Sequence, residues 1–300
     1  MAVVSEAAFT NIVQPGMKRV FANAFNEVPQ GSLIGPLYKM DTSEKPDEKY
    51  LEVEDVGNMP TFSGDVTYTE FREGNRVTLT HNEYALGLKL QRKLIDDDLY
   101  GVINQMVAGM GNAARYRMEL DAASPFVNAF NTTYTVFDGL SLCNTAHTFV
   151  STSTTQSNSG TSAFSYAALD AVIIAMRKFK GSQDRFIFNI YPDLLIGPVD
   201  LDAQMREVID SKFKPGSDIN NINVYNKKFT VMTTPFLSDT NDWFMADSRR
   251  MSDFLIWIQR VPLEFKNTGD FDTLTKKYLM YTRYSNQAIH WLWIYGNSVS

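Results

Sequence analysis

Three consecutive carboxylates, Asp96, Asp97 and Asp98, form the densest group of potentially reactive side chains in the sequence. Such a cluster can hold Mg²⁺ or divide acid–base work between its members. It also stands at the start of a helical pattern, where free backbone N–H groups and the helix dipole favour negative charge. With Asp96 as N-cap and Asp97 and Asp98 in the first turn, all three serve as a helix cap and no catalytic role is needed. The histidines offer less. His81, His147 and His290 make no HExxH or similar ligand pair, and Cys143 with His147 gives only an isolated C-x3-H spacing. The expected places are a strand surface for His81, a loop for His147 and a packed, hydrogen-bonded site for His290. A GxxxxGK phosphate loop and a G-x-S-x-G elbow are both absent. The aromatic run from Trp291 to Tyr295 could stack on a base or sugar, but strand spacing beside other apolar residues fits a core. Lys178, Lys180, Arg185, Lys227 and Lys228 are scattered and read as solvated faces. The residues therefore predict no catalytic, cofactor or metal site.

The 300 residues are 44% hydrophobic and 21% charged, enough to bury a substantial core. A net charge of −6 argues against broad wrapping of nucleic acid, which needs many cations to displace counterions. The single cysteine excludes an intrachain disulfide. No run approaches the roughly 18 apolar residues needed to span a bilayer. The opening MAVVSEAAFTNIV has no basic leader before a long apolar stretch, so the chain is expected to be soluble and unexported.

The carboxylates must be positioned by the stretch Leu94 to Ser124, which predicts one helix, roughly 40 Å long, left at Pro125. Leu99, Val102, Ile103, Met106, Val107, Met110, Ala113, Ala114 and Met118 supply an apolar face at i, i+3, i+4 spacing. Ahead of it, Met1 to Lys49 predicts two short helices, one ended by Pro15 and Gly16 and one near Pro29, in an extension that is either solvated or ordered against a neighbour. Tyr50 to Leu94 alternates with period two and predicts a long β-hairpin, too polar on both faces to stand alone. It needs a partner surface on this chain or on another copy.

After the helix, Phe126 to Gly160 reads as loop, with an exposed low-complexity tract from Thr152 to Ser162. Phe164 to Phe179 predicts a helix capped by Ser165, and Arg185 to Tyr191 a buried strand closed by Pro192. Pro198 opens a further helix, and Asn223 to Met232 and Trp243 to Ala246 give strands. Phe254 to Ser300 is β-like, aromatic, and expected to return to the long helix. The fold class is α+β.

Three passages carry a likeness to a known family: YALGLKLQRKLIDDDLYGVINQMVAGMGNAA (Tyr84 to Ala114), FDGLSLCNTAH (Phe137 to His147) and the segment from Ala168 to Met205. WFMADS (Trp243 to Ser248) and VPLEF (Val261 to Phe265) add to it. The chain resembles the major capsid proteins of tailed bacteriophages with the Hong Kong 97-type fold, and in particular the major head subunits of Mu-like phages. The resemblance implies an N-terminal arm (1–49), an extended β-hairpin loop (50–95), a peripheral domain with a long spine helix (96–125), an axial domain (126–250) and return strands of the peripheral domain (251–300). It implies no enzyme activity and no cofactor.

The implied product is an icosahedral virion shell, built in the cytoplasm of a bacterial host from hexamers and pentamers. The shell would enclose double-stranded DNA without sequence-specific binding and without a membrane. A separate scaffolding protein, a portal and a possible decoration protein are the implied partners. Inter-subunit contacts are expected at Gly57, Asn58, Met59, Pro60, Phe62, Phe71, Arg72, Gly74 and Asn75 of the hairpin. The competing readings are an encapsulin-like compartment and a hydrolase or sugar-binding protein that uses the Asp cluster or the aromatic end.

Overall fold

Strand alternation and helical periodicity resolve into two larger sheets joined by one long helix. The computed structural model describes residues 6–55, 58–62, 64–66, 68, 73–97, 101–216, 221–270 and 272–299, without the side chains of 6–15 and 153. The first elements are α1 (Glu6–Asn26), α2 (Ile34–Leu37), β1 (Lys39–Thr42), β2 (Asp47–Val53), β3 (Glu73–Thr80), β4 (Asn82–Gln91), α3 (Arg92–Asp96) and α4 (Val102–Val127). The middle of the chain gives β5 (His147–Phe149), β6 (Thr152–Gln156), β7 (Ser159–Gly160), α5 (Tyr166–Arg177), β8 (Leu194–Pro198), α6 (Asp202–Asp210), β9 (Thr230–Thr234) and β10 (Trp243–Ala246). The end of the chain gives α7 (Ser248–Phe254), β11 (Leu255–Asp270), β12 (Thr275–Ala288) and β13 (Ile294–Asn297).

A four-stranded sheet runs β1-β11-β12-β4 and a five-stranded sheet runs β7-β13-β10-β8-β9. Helix α4 has 26 residues, a length of about 39 Å, and touches the core of both regions. Its first half buries Ile103, Val107 and Met110 with Tyr278 and Met280 of β12 and Leu90 of β4. Its second half buries Met118, Ala122 and Phe126 in the main core with Phe244 and Trp293. Val102, Met106 and Ala113, expected on the apolar face, lie outside it and are exposed.

The long helix does not begin at the aspartates. Asp96 ends the separate turn α3, where it pairs with Arg92 at 3.5 Å, and Asp97 is that turn's C-cap. Asp98 lies outside the described residues. Gly101, at φ 69°, caps α4 instead. A left-handed residue breaks the chain between the two helices, a conformation that glycine adopts without steric cost. At the other end the helix continues through Pro125 to Val127. Proline lacks the N–H that would reach the Asp121 carbonyl, and Asn286 Nδ2 donates to that carbonyl at 2.6 Å.

Other sequence expectations shift as well. The N-terminal segment is one helix through Pro15 and Gly16, and its Met17 and Phe21 are buried on α4. The expected hairpin from Tyr50 to Leu94 divides: β2 and β3 pair with each other, while β4 joins β12 across ten residues. The Thr152–Ser162 tract forms β6 and β7 rather than an exposed loop. It is pinned by fully buried Asn158, which donates to the carbonyls of Leu142 and Ile294. Pro198 closes β8 and caps a short 3-10 turn ahead of α6, and the strand expected from Asn223 begins only at Thr230. Arg185 to Tyr191 forms no strand apart from an isolated bridge between Lys180 and Phe186. The helix capped by Ser165 and the strand Trp243–Ala246 lie as expected. The apolar C-terminal run divides between the two regions: β12 packs on α4, whereas Trp291 and Trp293 enter the main core.

A Cβ on Gly111 would stand 2.7 Å from the Phe21 carbonyl oxygen, so α1 and α4 approach here because position 111 has no side chain. Gly111→Ala should lower the stability read by urea unfolding by about 1–3 kcal/mol through overpacking. Gly109→Ala, with open space around it, should instead gain up to about 1 kcal/mol.

Candidate assembly surfaces

The middle of α4 carries two buried carboxylates that fix what lies around it. Glu119, fully buried, accepts from Ser32 Oγ at 2.5 Å and from the Leu33 N–H at 2.9 Å, and pairs with Arg115 at 2.7 Å. Asp121 accepts from the Tyr284 hydroxyl at 2.7 Å and from both Nε and Nη2 of Arg117 at 3.0 and 2.6 Å. Burial, reinforced by Asp121, pushes the Tyr284 hydroxyl well above the usual phenol range. Tyr284 stacks between Tyr84 and Trp257, each at 4.8 Å, so the polar contact is sealed by rings.

The ribbon β2–β3 rests on the same chain. Tyr50, Val77 and Leu79 pack on Phe137, Ile258 and Ile289, which supplies the partner surface that the sequence demanded. Its far end is latched. Glu52 Oε2 accepts from the Asn75 N–H at 3.2 Å, and Glu52 Oε1 lies 3.3 Å from His290 Nε2. Glu54 accepts from the Ser151 N–H at 2.9 Å, and the Asp55 N–H donates to Ser182 Oγ at 2.9 Å. Beyond this latch the described residues 58–62, 64–66 and 68 are all exposed, so what projects is this stretch rather than a whole hairpin.

The residues expected at subunit contacts fall into three groups. Asn58, Met59, Pro60 and Phe62 lie in the projecting segment and are exposed. Gly74 and Asn75 belong to the latch, where a Cβ on Gly74 would meet the Glu52 side chain at 2.8 Å. Gly57, Phe71 and Arg72 lie outside the described residues. Sequence reasoning missed the exposed Phe186 and Phe188, because their alternation has the form of a buried strand.

The histidines are all internal. His147 lies in β5, not a loop, fully buried with Nδ1 2.6 Å from Asp138 Oδ2 and its ring stacked on Trp291 at 4.6 Å. His290 is packed as expected and accepts from the Leu292 N–H through Nδ1 at 3.1 Å. His81 is buried at the corner between β3 and β4, with Nδ1 3.0 Å from Ser285 Oγ, rather than on a strand surface. Burial and the nearby Arg283 hold its imidazole below the ordinary 6.5, aided by Arg260 and opposed by Glu48 and Asp47. Burial pushes the Cys143 thiol far above its usual range, which leaves it inert at neutral pH. Among the described residues no three His, Cys, Asp or Glu side chains converge as metal ligands, and no helix is long and apolar enough to cross a membrane.

Comparison with known proteins places this arrangement. The phage capsid protein family matches residues 76–295, from β3 through β13. The chain belongs to that family. Among solved structures, the capsid of cyanophage P-SCSP1u superposes with a TM-score of 0.61 at 11% identity, over 92% of this chain and 90% of that one. The capsid of an empty GTA particle gives 0.57 at 11% identity, over 91% of each chain. The procapsid of bacteriophage JBD30 gives 0.53 at 12% identity, over 98% of this chain and 76% of that one. No curated protein sequence matches the chain. The fold of this major capsid protein is the Hong Kong 97-type capsid fold, and its function is structural.

Glu119→Ala would leave the Leu33 N–H without its acceptor and the Arg115 guanidinium with only Ser32 Oγ, to which its Nη2 donates at 3.0 Å, and should cost about 3–5 kcal/mol in urea unfolding of the capsid protein, with Glu119→Gln losing less. The depressed His81 sets a second expectation. The unfolded chain takes up a proton near pH 6.5 before the folded one does, so stability falls as pH drops below that value and levels off below the folded value. Thermal midpoints recorded between pH 7.5 and 5.0 should show this fall, and His81→Gln should flatten it.

Proposed function

We propose that this capsid protein assembles as hexamers and pentamers into an icosahedral head that encloses double-stranded DNA. The observation that carries the reading is the projecting segment, where Met59, Phe62, Val66 and Tyr68 follow closely on one another and are all largely exposed. Exposed apolar groups of this kind mark surfaces that another molecule covers. In the shell, Gly57, Asn58, Met59, Pro60, Phe62, Phe71 and Arg72 lie over a neighbouring subunit, and Gly74 and Asn75 hold the segment at its root. Residues 1–49 act as the arm, α4 as the spine of the peripheral domain, 126–250 as the axial domain, and 251–300 as the return. The chain's role is mechanical rather than catalytic. Each contact is mild, and repetition over a closed shell makes the whole strong.

A separate scaffolding protein, a portal and a decoration protein complete the head, which forms in the bacterial cytoplasm. One JBD30 capsid is described as decorated with minor capsid protein trimers, which makes a decoration protein a reasonable partner here. Co-expression with its scaffold followed by electron microscopy should give closed shells of uniform diameter. A chain that remains monomeric in every preparation would refute the assignment.

A further inference from the structure

Residues 185–191 (RFIFNIY) present an anomaly that the shell reading leaves unassigned. Ile190 turns into the main core and Ile187 packs at its edge, which satisfies the inward side of the segment. The rings go the other way: Phe188 is 89% exposed, Phe186 58% and Tyr191 52%. Arg185 Nη1 donates to Asn58 Oδ1 at 3.3 Å, which brings this segment beside the projecting one, where Met59 is 96% and Phe62 72% exposed. Aromatic side chains bury about 150–250 Å² each, so these five residues offer on the order of 700 Å² of apolar surface. That sum approaches the ~800 Å² that one partner contributes to a stable interface. Beside it opens a cavity of about 270 Å³ whose walls mix Val53, Phe149 and Ile187 with the latch carboxylates Glu52, Glu54 and Asp55.

We propose that Phe186, Phe188 and Tyr191, with Met59 and Phe62, form one self-association surface that a second copy of this chain covers. The proposal rests on the shell reading and adds to it a segment outside the loop between β2 and β3. The neighbouring cations do not favour nucleic acid as the occupant. Lys180 is paired with Asp184 at 2.9 Å and Asp55 lies against Gly181, so carboxylates stand among the cations, while Arg185 and Arg250 are spent on the Asn58 amide and the Asn189 carbonyl of these same segments. The area matches one half of a protein–protein contact. A second copy is the partner that a repeating shell supplies to every subunit.

Two variants of the full chain test this, each run beside the unmodified protein with its scaffold. Phe186→Ser with Phe188→Ser should keep the far-ultraviolet circular dichroism of the parent and lower its thermal midpoint only slightly, because Phe188 is almost wholly exposed and Phe186 gives up a contact under Lys180, and should leave capsomers and shells undetectable by light scattering. Phe188→Cys supplies the second measurement, since the only natural cysteine, Cys143, is buried and contributes little background. Its labelling by a maleimide should be at least about ten-fold slower in shells than in the dissociated subunit. Wild-type shells together with a double-serine variant that assembles equally well, or equal labelling rates in both states, overturn the surface and leave the shell reading standing. Variant shells that assemble but no longer retain scaffold or DNA overturn the choice of a second copy as occupant. A wild-type chain that never assembles overturns both readings.

Discussion

Glu119 and Asp121 on α4 are the contacts on which the rest of the subunit depends. Taking a carboxylate out of water costs several kcal/mol, and the cost is offset only where several donors converge with good geometry. Here they do. Glu119 collects a guanidinium, a hydroxyl and a backbone N–H from the turn that opens α2, and Asp121 collects a guanidinium and the Tyr284 hydroxyl of β12. An apolar stripe alone would let a 26-residue helix slide or rotate against its neighbours at small cost, because hydrophobic burial has no direction. Two buried carboxylates with fixed partners remove that freedom and set the register of the four-stranded sheet against the main core.

That register determines where the ribbon β2–β3 can go. Its lower end packs on β11 and on the segment after β12, and its upper end is held by Glu52 at His290 and by Glu54 at Ser151. The Ser151 backbone in the turn after β5, the Ser182 side chain between α5 and β8, and His290 on the approach to β13 therefore meet at one place, the root of the projecting segment. A subunit built this way holds the inner face of its ribbon internally and leaves Met59, Phe62, Val66 and Tyr68 beyond it exposed. The division has a physical use: a rigid base delivers a projecting segment in one orientation, which a repeating shell requires of every copy.

Much of this plan is legible in the sequence. Periodicity from Val102 onward marks the long helix, Ser165 marks the start of α5, and the aromatic density after Phe254 marks a buried β region. Local rules fail where two uses of the same residues compete. Three aspartates before a helical pattern look like a cap, yet Gly101 in a left-handed conformation performs the break and Asp96 serves its own short turn. The alternation of RFIFNIY looks like a buried strand because period two says which residues share a side and says nothing about whether that side is covered. The Ser/Thr tract from Thr152 looks disordered because its order comes from the amide of Asn158, bonded to carbonyls distant in sequence.

By itself, then, the sequence determines the element types, the α+β class, the long helix and the need of the period-two region for a partner, because these follow from interactions between residues near one another in the chain. Tertiary structure alone decides that β4 leaves the hairpin for β12, that Glu119 and Asp121 become internal anchors, that His81 and His147 are buried, and that Phe186 and Phe188 face outward. Each of these depends on a partner some 80 to 200 residues away, or on the lack of one, and no local pattern encodes that distance.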